Sequence, residues 1–312
     1  MRPFVAFGEA LWDLFPDGAV LGGAPLNFAY RVQEAGGSCR MITALGADER
    51  GEAALEPLRE LGMSTALIQR LPDRPTGSVE IKLDEERNPT YRIVPGVAYD
   101  AIEVTDEALK AAREAGCICF GTLAQREERS RTTIHRLLEE ATDAERLYDV
   151  NLRPGSVVES TIRASLERST IVKINDEEAA TLNRMLDIGA RTADQFCTAL
   201  CEAFPVQLIV VTLGAGGAYA RHRSGEEHYE AAFRVEVADP CGAGDAFTAA
   251  FTTEYLETGS LEAALRQGNA YGAAVASRRG ATDPIPRSAL EALINTDDRL
   301  AAADIPISLL EG

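Results

Sequence analysis

Two glycines, two alanines and two carboxylates crowd one short stretch of this chain: Asp239-Pro240-Cys241-Gly242-Ala243-Gly244-Asp245-Ala246-Phe247. The apolar run beyond it predicts a helix over residues 243–258. The first N–H groups of a helix have no intrahelical partner, and the helix dipole adds positive potential there. Small residues let an anion come close to those groups. An acid inside such an anion cradle suits the transfer of a phosphoryl group with removal of a proton. Asp245 is then a general base, and the N–H groups of Gly242, Ala243 and Gly244 would stabilise charge on the moving phosphate. Taken alone, the stretch also fits a glycine-rich loop whose Asp245 merely complements the dipole.

A second stretch, Gly22-Gly23-Ala24-Pro25-Leu26-Asn27-Phe28-Ala29, opens a helix predicted over residues 25–34. Its proline stands where a missing N–H costs nothing. Together the two stretches resemble the paired signatures of the PfkB, or ribokinase, family of sugar kinases. The N-terminal signature centres on a Gly-Gly pair and a nearby Asn; the C-terminal one reads Asp-Thr-x-Gly-Ala-Gly-Asp-x-Phe. Pro240 stands where the family often has Thr. The order and separation of the motifs fit along the whole chain.

The resemblance implies a ribokinase-like three-layer α/β/α core with a mostly parallel sheet and a small β-lid. It implies ATP-dependent phosphorylation of a sugar hydroxyl, with Mg²⁺ as cofactor. Asp13, Gly23 and Asn27 fall where the family contacts the sugar. Asn175 and Glu178 form the Asn-x-x-Glu pattern that organises Mg²⁺ and phosphate-bound water, Glu178 reaching the metal through water. Thr212, Gly214 and Gly217 match the nucleotide-side loop, and Asn269 and Ala273 the positions flanking adenine. Asp239, with backbone carbonyls after Gly280, matches a site for a monovalent cation such as K⁺, and the change at Pro240 touches that shell. Asp149-Val150-Asn151-Leu152-Arg153 resembles a stretch of fructokinases and 2-keto-3-deoxygluconate kinases, without the tryptophan that often follows there. Fructose is the expected substrate, from the Gly-Gly-Ala-Pro-Leu-Asn form and the Gly8-Glu9 start. The alternatives are 2-keto-3-deoxygluconate, ribose, or a non-catalytic sugar- or nucleotide-sensing protein on the same fold.

Several of these residues have a second reading. Asp13 alone fits a solvated loop acid. Glu178 sits in Asp176-Glu177-Glu178, an acidic helix start that the dipole favours on its own. Ala273 equally suits helix packing. Arg153 fits a substrate carboxylate, an ATP phosphate or a surface acid. The glycines of 212–217 do not open a helix, so they make no dinucleotide fingerprint, and no G-x-x-x-x-G-K-[ST] occurs.

These residues need a scaffold, and the chain alternates apolar runs with amphipathic ones. Strands are predicted over 4–8, 40–44, 117–120, 147–150, 171–174 and 208–212. Helices are predicted over 49–61, 106–115, 127–141, 156–168, 176–183 and 193–203, and the region 242–277 as mainly helical. Near-continuous apolar strands between helices imply a parallel sheet covered on both faces. Residues 76–99 alternate instead, with a polar turn at 85–89, and predict a hairpin with one apolar face. This hairpin and residues 11–22 are the expected lid segments within a single domain of residues 1–312, and the resemblance implies that lids pair in a homodimer.

A net charge of −18, from 49 acids against 31 bases, argues against nucleic acid or anionic membrane as partners. It also sets a problem for anionic ATP, since only Lys82, Lys110 and Lys173 occur among lysines. Six scattered cysteines read as free thiols in a reducing cytoplasm. Transmembrane and signal segments are not expected.

Overall fold

The computed structural model describes residues 1–15, 18–83 and 89–300. The strands along the chain are β1 (Phe4–Phe7), β2 (Leu11–Phe15), β3 (Gly18–Gly22), β4 (Cys39–Gly46), β5 (Ile68–Leu71), β6 (Gly77–Leu83), β7 (Pro89–Ile93), β8 (Cys117–Gly121), β9 (Glu145–Asp149), β10 (Ile171–Asn175), β11 (Leu208–Thr212), β12 (Ala218–His222) and β13 (Glu227–Glu230). The helices are α1 (Ala24–Glu34), α2 (Glu49–Glu60), α3 (Asp106–Glu114), α4 (Glu128–Glu140), α5 (Glu159–Leu166), α6 (Asp176–Met185), α7 (Ala193–Ala203), α8 (Ala243–Thr258), α9 (Leu261–Ala276) and α10 (Arg287–Ile294).

β1 shows why a layered architecture forms. Val5 and Phe7 enter one core cluster, Phe4 and Ala6 the other, and none is more than 1% exposed. A strand buried on both faces needs helices above and below, and parallel crossovers supply them. The main sheet has nine strands in the order β13-β12-β11-β10-β9-β8-β1-β4-β5. It is parallel from β11 to β5, and β12 and β13 add antiparallel at one edge. The face of Val5 is covered by α3 to α7 through residues such as Ala112, Ile134, Ile162, Leu182 and Phe196. The face of Phe4 is covered by α1, α2, α8 and α9. This is the expected three-layer α/β/α core. Each buried Phe or Leu contributes about 1.5–3 kcal/mol by leaving water.

The small sheet has the order β3-β2-β6-β7. β2 and β3 form one antiparallel hairpin, β6 and β7 another, and β2 joins them by pairing parallel to β6 from Leu11↔Gly77 to Leu14↔Glu80. Apart from Pro89, the expected polar turn at 85–89 lies outside the described residues. Trp12 Nε1 donates to the Arg50 carbonyl of α2 at 3.0 Å. Asp48 accepts from Gly51 N–H, Thr76 N–H and Thr76 Oγ1 at 2.6–2.8 Å. These bonds root the small sheet on the core. Gly77 must lack a side chain, because a Cβ there would lie 2.5 Å from the Tyr99 ring.

The helix expected over 156–168 begins only at Glu159. The Arg153 carbonyl accepts both the N–H and the hydroxyl of Ser156, which makes a turn instead. The β-branched Val157 and Val158 then sit exposed before the helix. Among the described residues no helix is long and apolar enough to cross a membrane.

Candidate active site

Most of the chemistry-bearing residues stand at the carboxyl ends of the parallel strands, where open α/β sheets bind ligands. Glu9 follows β1, Asn151 and Arg153 follow β9, Asn175 and Glu178 follow β10, and Thr212 ends β11. The N-termini of α1 and α8 face the same region from the other layer. They meet directly: Asn27 Nδ2 donates to Asp245 Oδ2 at 2.8 Å.

The local cause of the cradle is Gly242. It is the N-cap of α8 with φ of 77°, and a Cβ there would lie 2.4 Å from Ala281 Cβ. Only glycine holds that left-handed turn against the 281 loop. Among the described residues the N–H groups of Gly242, Gly244 and Asp245 have no partner, whereas Ala243 N–H donates to the Pro240 carbonyl at 3.2 Å. Three open donors therefore surround the acid. Asp239 accepts from Cys241 N–H at 3.0 Å and Gly280 N–H at 3.5 Å, tying the start of this turn to the end of α9.

Burial pushes the Asp245 carboxyl up to about 6, and the Asp149 carboxylate adds to the rise. The Asn27 hydrogen bond and the charges of Lys173 and Arg153 pull the other way. At neutral pH Asp245 is mostly the carboxylate that a base must be. Asn27 is 5% exposed and its Oδ1 has no partner, so one acceptor stays open beside the acid. Asp13 lies on β2 of the small sheet, its Oδ2 3.0 Å from where a Cβ on Gly22 would stand. Burial raises Asp13 to about 6, against the pull of Arg153. Gly23 has φ of 125°, and a Cβ there would strike the Glu9 carbonyl at 2.4 Å.

Arg153 is exposed and makes no ion pair among the described residues, yet its charge is felt by Glu9, Asp13 and Asp245. No acid pairs with it among the described residues, so its charge is left to act on these three carboxyls.

Glu178 is 7% exposed and closes a capping box with Asn175. Leu152 N–H donates to its Oε1 at 2.8 Å and Asn175 N–H to its Oε2 at 3.0 Å. Burial raises this carboxyl, opposed by Lys173. Thr212 pairs in register with Asn175. Gly214 begins an exposed 3₁₀ turn with φ of 53°, and Gly217 packs so closely that a Cβ would lie 2.2 Å from the Glu230 carbonyl. Asn269 Nδ2 donates to the carbonyls of Glu230 and Ala231 at 2.9 and 3.3 Å, fixing the chain after β13 on α9. Ala273 is half-buried on α9 beside Gly272, whose Cβ position is 3.3 Å from the Ala243 carbonyl. The nucleotide-side candidates are thus linked to one another from β10 and β11 through the chain after β13 to α9.

Four members were not singled out as site residues from sequence. Glu9 is buried between β1 and α1 and is raised to about 7 by that burial, with its own N–H and Arg153 opposing. Asp149, Lys173 and Thr248 form a buried chain beneath α8: Lys173 Nζ to Asp149 Oδ1 at 3.2 Å, and Thr248 Oγ1 to Asp149 Oδ2 at 3.1 Å. A lysine in the middle of an apolar strand, in a chain with three lysines, was the available signal.

The model of the pfkB family carbohydrate kinases matches residues 18–288. A fructokinase of Escherichia coli is 28% identical over 266 residues, covering 81% of this chain and 84% of that protein. A 2-dehydro-3-deoxygluconokinase of Thermoproteus tenax is 28% identical over 285 residues, covering 88% and 85%. A solved fructokinase from Vibrio cholerae O395, in a form with fructose, ADP and potassium ion bound, shares the fold with a TM-score of 0.79 at 22% identity, covering 94% of this chain and 98% of that one.

Proposed function

The chain belongs to the pfkB family of carbohydrate kinases and is an ATP-dependent sugar kinase, and from that premise we propose that its sugar is fructose and its base Asp245. The observation that carries the assignment of the base is the Asn27–Asp245 hydrogen bond at the mouth of α8, beside open N–H donors. A fructose hydroxyl placed there gives its proton to Asp245 as its oxygen bonds to the γ-phosphorus of ATP. The bond from that phosphorus to the β–γ bridging oxygen breaks, and ADP leaves with the electron pair. The free N–H groups of Gly242, Gly244 and Asp245 stabilise the charge on the transferring group. Asn27 orients the carboxylate through Nδ2 and offers Oδ1 to a neighbouring hydroxyl. Asp13 and Gly23 hold the rest of the sugar.

Among the described residues no three metal-ligating side chains cluster. A single buried carboxylate, Glu178, suits an ion carried in by nucleotide phosphates and waters, as magnesium usually is. Glu178 would reach it through water, with Asn175 beside it; the ion would neutralise phosphate charge. Asp239 makes no ion pair among the described residues, and we assign it a monovalent cation, tested by replacing K⁺ with a bulky organic cation. The small sheet is proposed as the lid, pairing in a homodimer through its exposed Phe15 and Val20, and the enzyme is proposed to work in the cytoplasm.

The guanidinium of Arg153, without an ion pair among the described residues, favours a second reading, 2-keto-3-deoxygluconate, whose carboxylate it would meet. A sugar panel assayed for ATP consumption separates the two. With fructose as substrate, Arg153→Ala changes the sugar KM only modestly and salt barely alters it. A higher kcat/KM for the keto acid that Arg153→Ala removes would replace fructose with it.

A further inference from the structure

A protein of net charge −18 has to hold a carboxylate base charged next to an anionic substrate. Among the described residues one buried ammonium is in position to help. Lys173 is 8% exposed, and a Cβ on Gly244 would lie 3.4 Å from its Nζ, so the charge sits beneath the residue that precedes the base. It is not free to leave. β9 and β10 pair in register at Lys173↔Asp149, and the two side chains meet at 3.2 Å. Asp149, 6% exposed, also holds Thr248, whose hydroxyl lies 2.8 Å from the Gly244 carbonyl. Thr248 thus links the ion pair to the first turn of α8, one turn beyond the cradle. The pair is deep enough that water screens it little.

We propose that the Lys173–Asp149–Thr248 chain is a positioning device for the base: Lys173 supplies the fixed positive charge that keeps Asp245 a carboxylate, and Asp149 holds that charge under the cradle while tempering it. The proposal rests on Asp245 being the base. Burial works against the lysine's charge, but Asp149, Glu178 and Asp245 outweigh it and keep the ammonium charged. The other groups facing Asp245 are Asn27 on α1, Arg153 after β9, Glu9 after β1, Cys119 on β8 and Cys241 before α8. None of them lies within the ion pair.

The two partners act on Asp245 with opposite sign, which gives the test. kcat/KM for the sugar is measured against pH at saturating MgATP, where its acid limb reports the base. Lys173→Met should move the limb to higher pH by about one unit, because an opposite charge is lost. Asp149→Asn should move it to lower pH, because a like charge is lost and the ammonium stays. Lys173→Arg should leave the limb in place, and the double Lys173→Met/Asp149→Asn variant should return it close to the wild type. A merely structural pair would lower activity and Tm in both single variants without moving the limb. Unmoved limbs, or both limbs moving the same way, overturn the proposal. If Lys173→Met does not fold, Asp149→Asn and the double variant decide alone. Asp245→Asn, assayed alongside, separates the two levels. Retained turnover in that variant refutes the base itself, whereas lost turnover with unmoved limbs refutes only the role of Lys173.

Discussion

On the proposed reading Asp245, Asn27 and Asp13 divide the chemistry between them. In the proposed mechanism Asp245 accepts the proton, so removing its charge while keeping its shape isolates that step. Asp245→Asn should lower kcat by about a hundred- to ten-thousand-fold, with ATP and sugar binding largely intact. A variant keeping a third of the wild-type kcat would show that the proton goes elsewhere. Asn27 lies on α1 and Asp13 on β2, whereas Asn175 and Thr212 end β10 and β11 and Asn269 lies on α9. Asn27→Ala or Asp13→Ala should therefore raise the KM for sugar far more than the KM for ATP, as steady-state kinetics with each substrate varied would read. The reverse pattern would mean that the two halves of the site have been exchanged. Asn27 and Asp245 stand out in the sequence because each sits in a short glycine-rich motif, whereas Asp13 is singled out only by the family resemblance. Glu9 does not stand out, since a glutamate after a strand reads as solvated until the fold encloses it.

At the scale of elements, the cradle depends on how α8 begins. Gly242 is left-handed and in contact with Ala281, so two constraints converge on one position. Gly242→Ala adds left-handed strain of about 1–2 kcal/mol and pushes the 281 loop away. We expect a large fall in kcat and a raised KM for ATP with only a small fall in Tm, since kinetics and thermal melting report the two effects separately. Unchanged kinetics would show that the donors of this turn are not used. That loop is held from behind by Arg31, 1% exposed, which donates to the carbonyls of Ala281 and Asp283 at 2.6–3.1 Å and pairs with Glu34. Arg31 lies one turn after Asn27 on α1, so a single helix positions both the base and the loop behind its cradle. The start of α8 was readable from glycine spacing; the support from Arg31 was not, because nothing local distinguishes a buried arginine from a surface one.

For the molecule as a whole, the site is a cost to stability. Glu9 is raised to about 7 from an ordinary value of 4.5, mainly by burial. A carboxyl raised in the folded state contributes its stability below the unfolded value and loses it as pH climbs through the folded one. Between about pH 4.5 and 7 the folded protein therefore gives up stability at Glu9, on the order of 1–3 kcal/mol. Glu9→Gln should raise Tm clearly at pH 8 and much less at pH 5. A larger gain at pH 5 would reverse the sign of the argument.

The sequence by itself determined the layered α/β class, six of the nine strands of the main sheet and the two glycine-rich helix starts. Those features depend on neighbours a few residues apart: the period of apolar residues, a proline at a helix start, a glycine where φ must be positive. Tertiary structure alone decided that Asn27 reaches Asp245 across 218 residues, that Lys173 lies under Gly244, and that Ala243 N–H is already taken by Pro240. It also decided which acids are buried. The charge state of a carboxylate depends on how much water is removed and which charges remain nearby, and both follow from segments distant in sequence that only folding brings together.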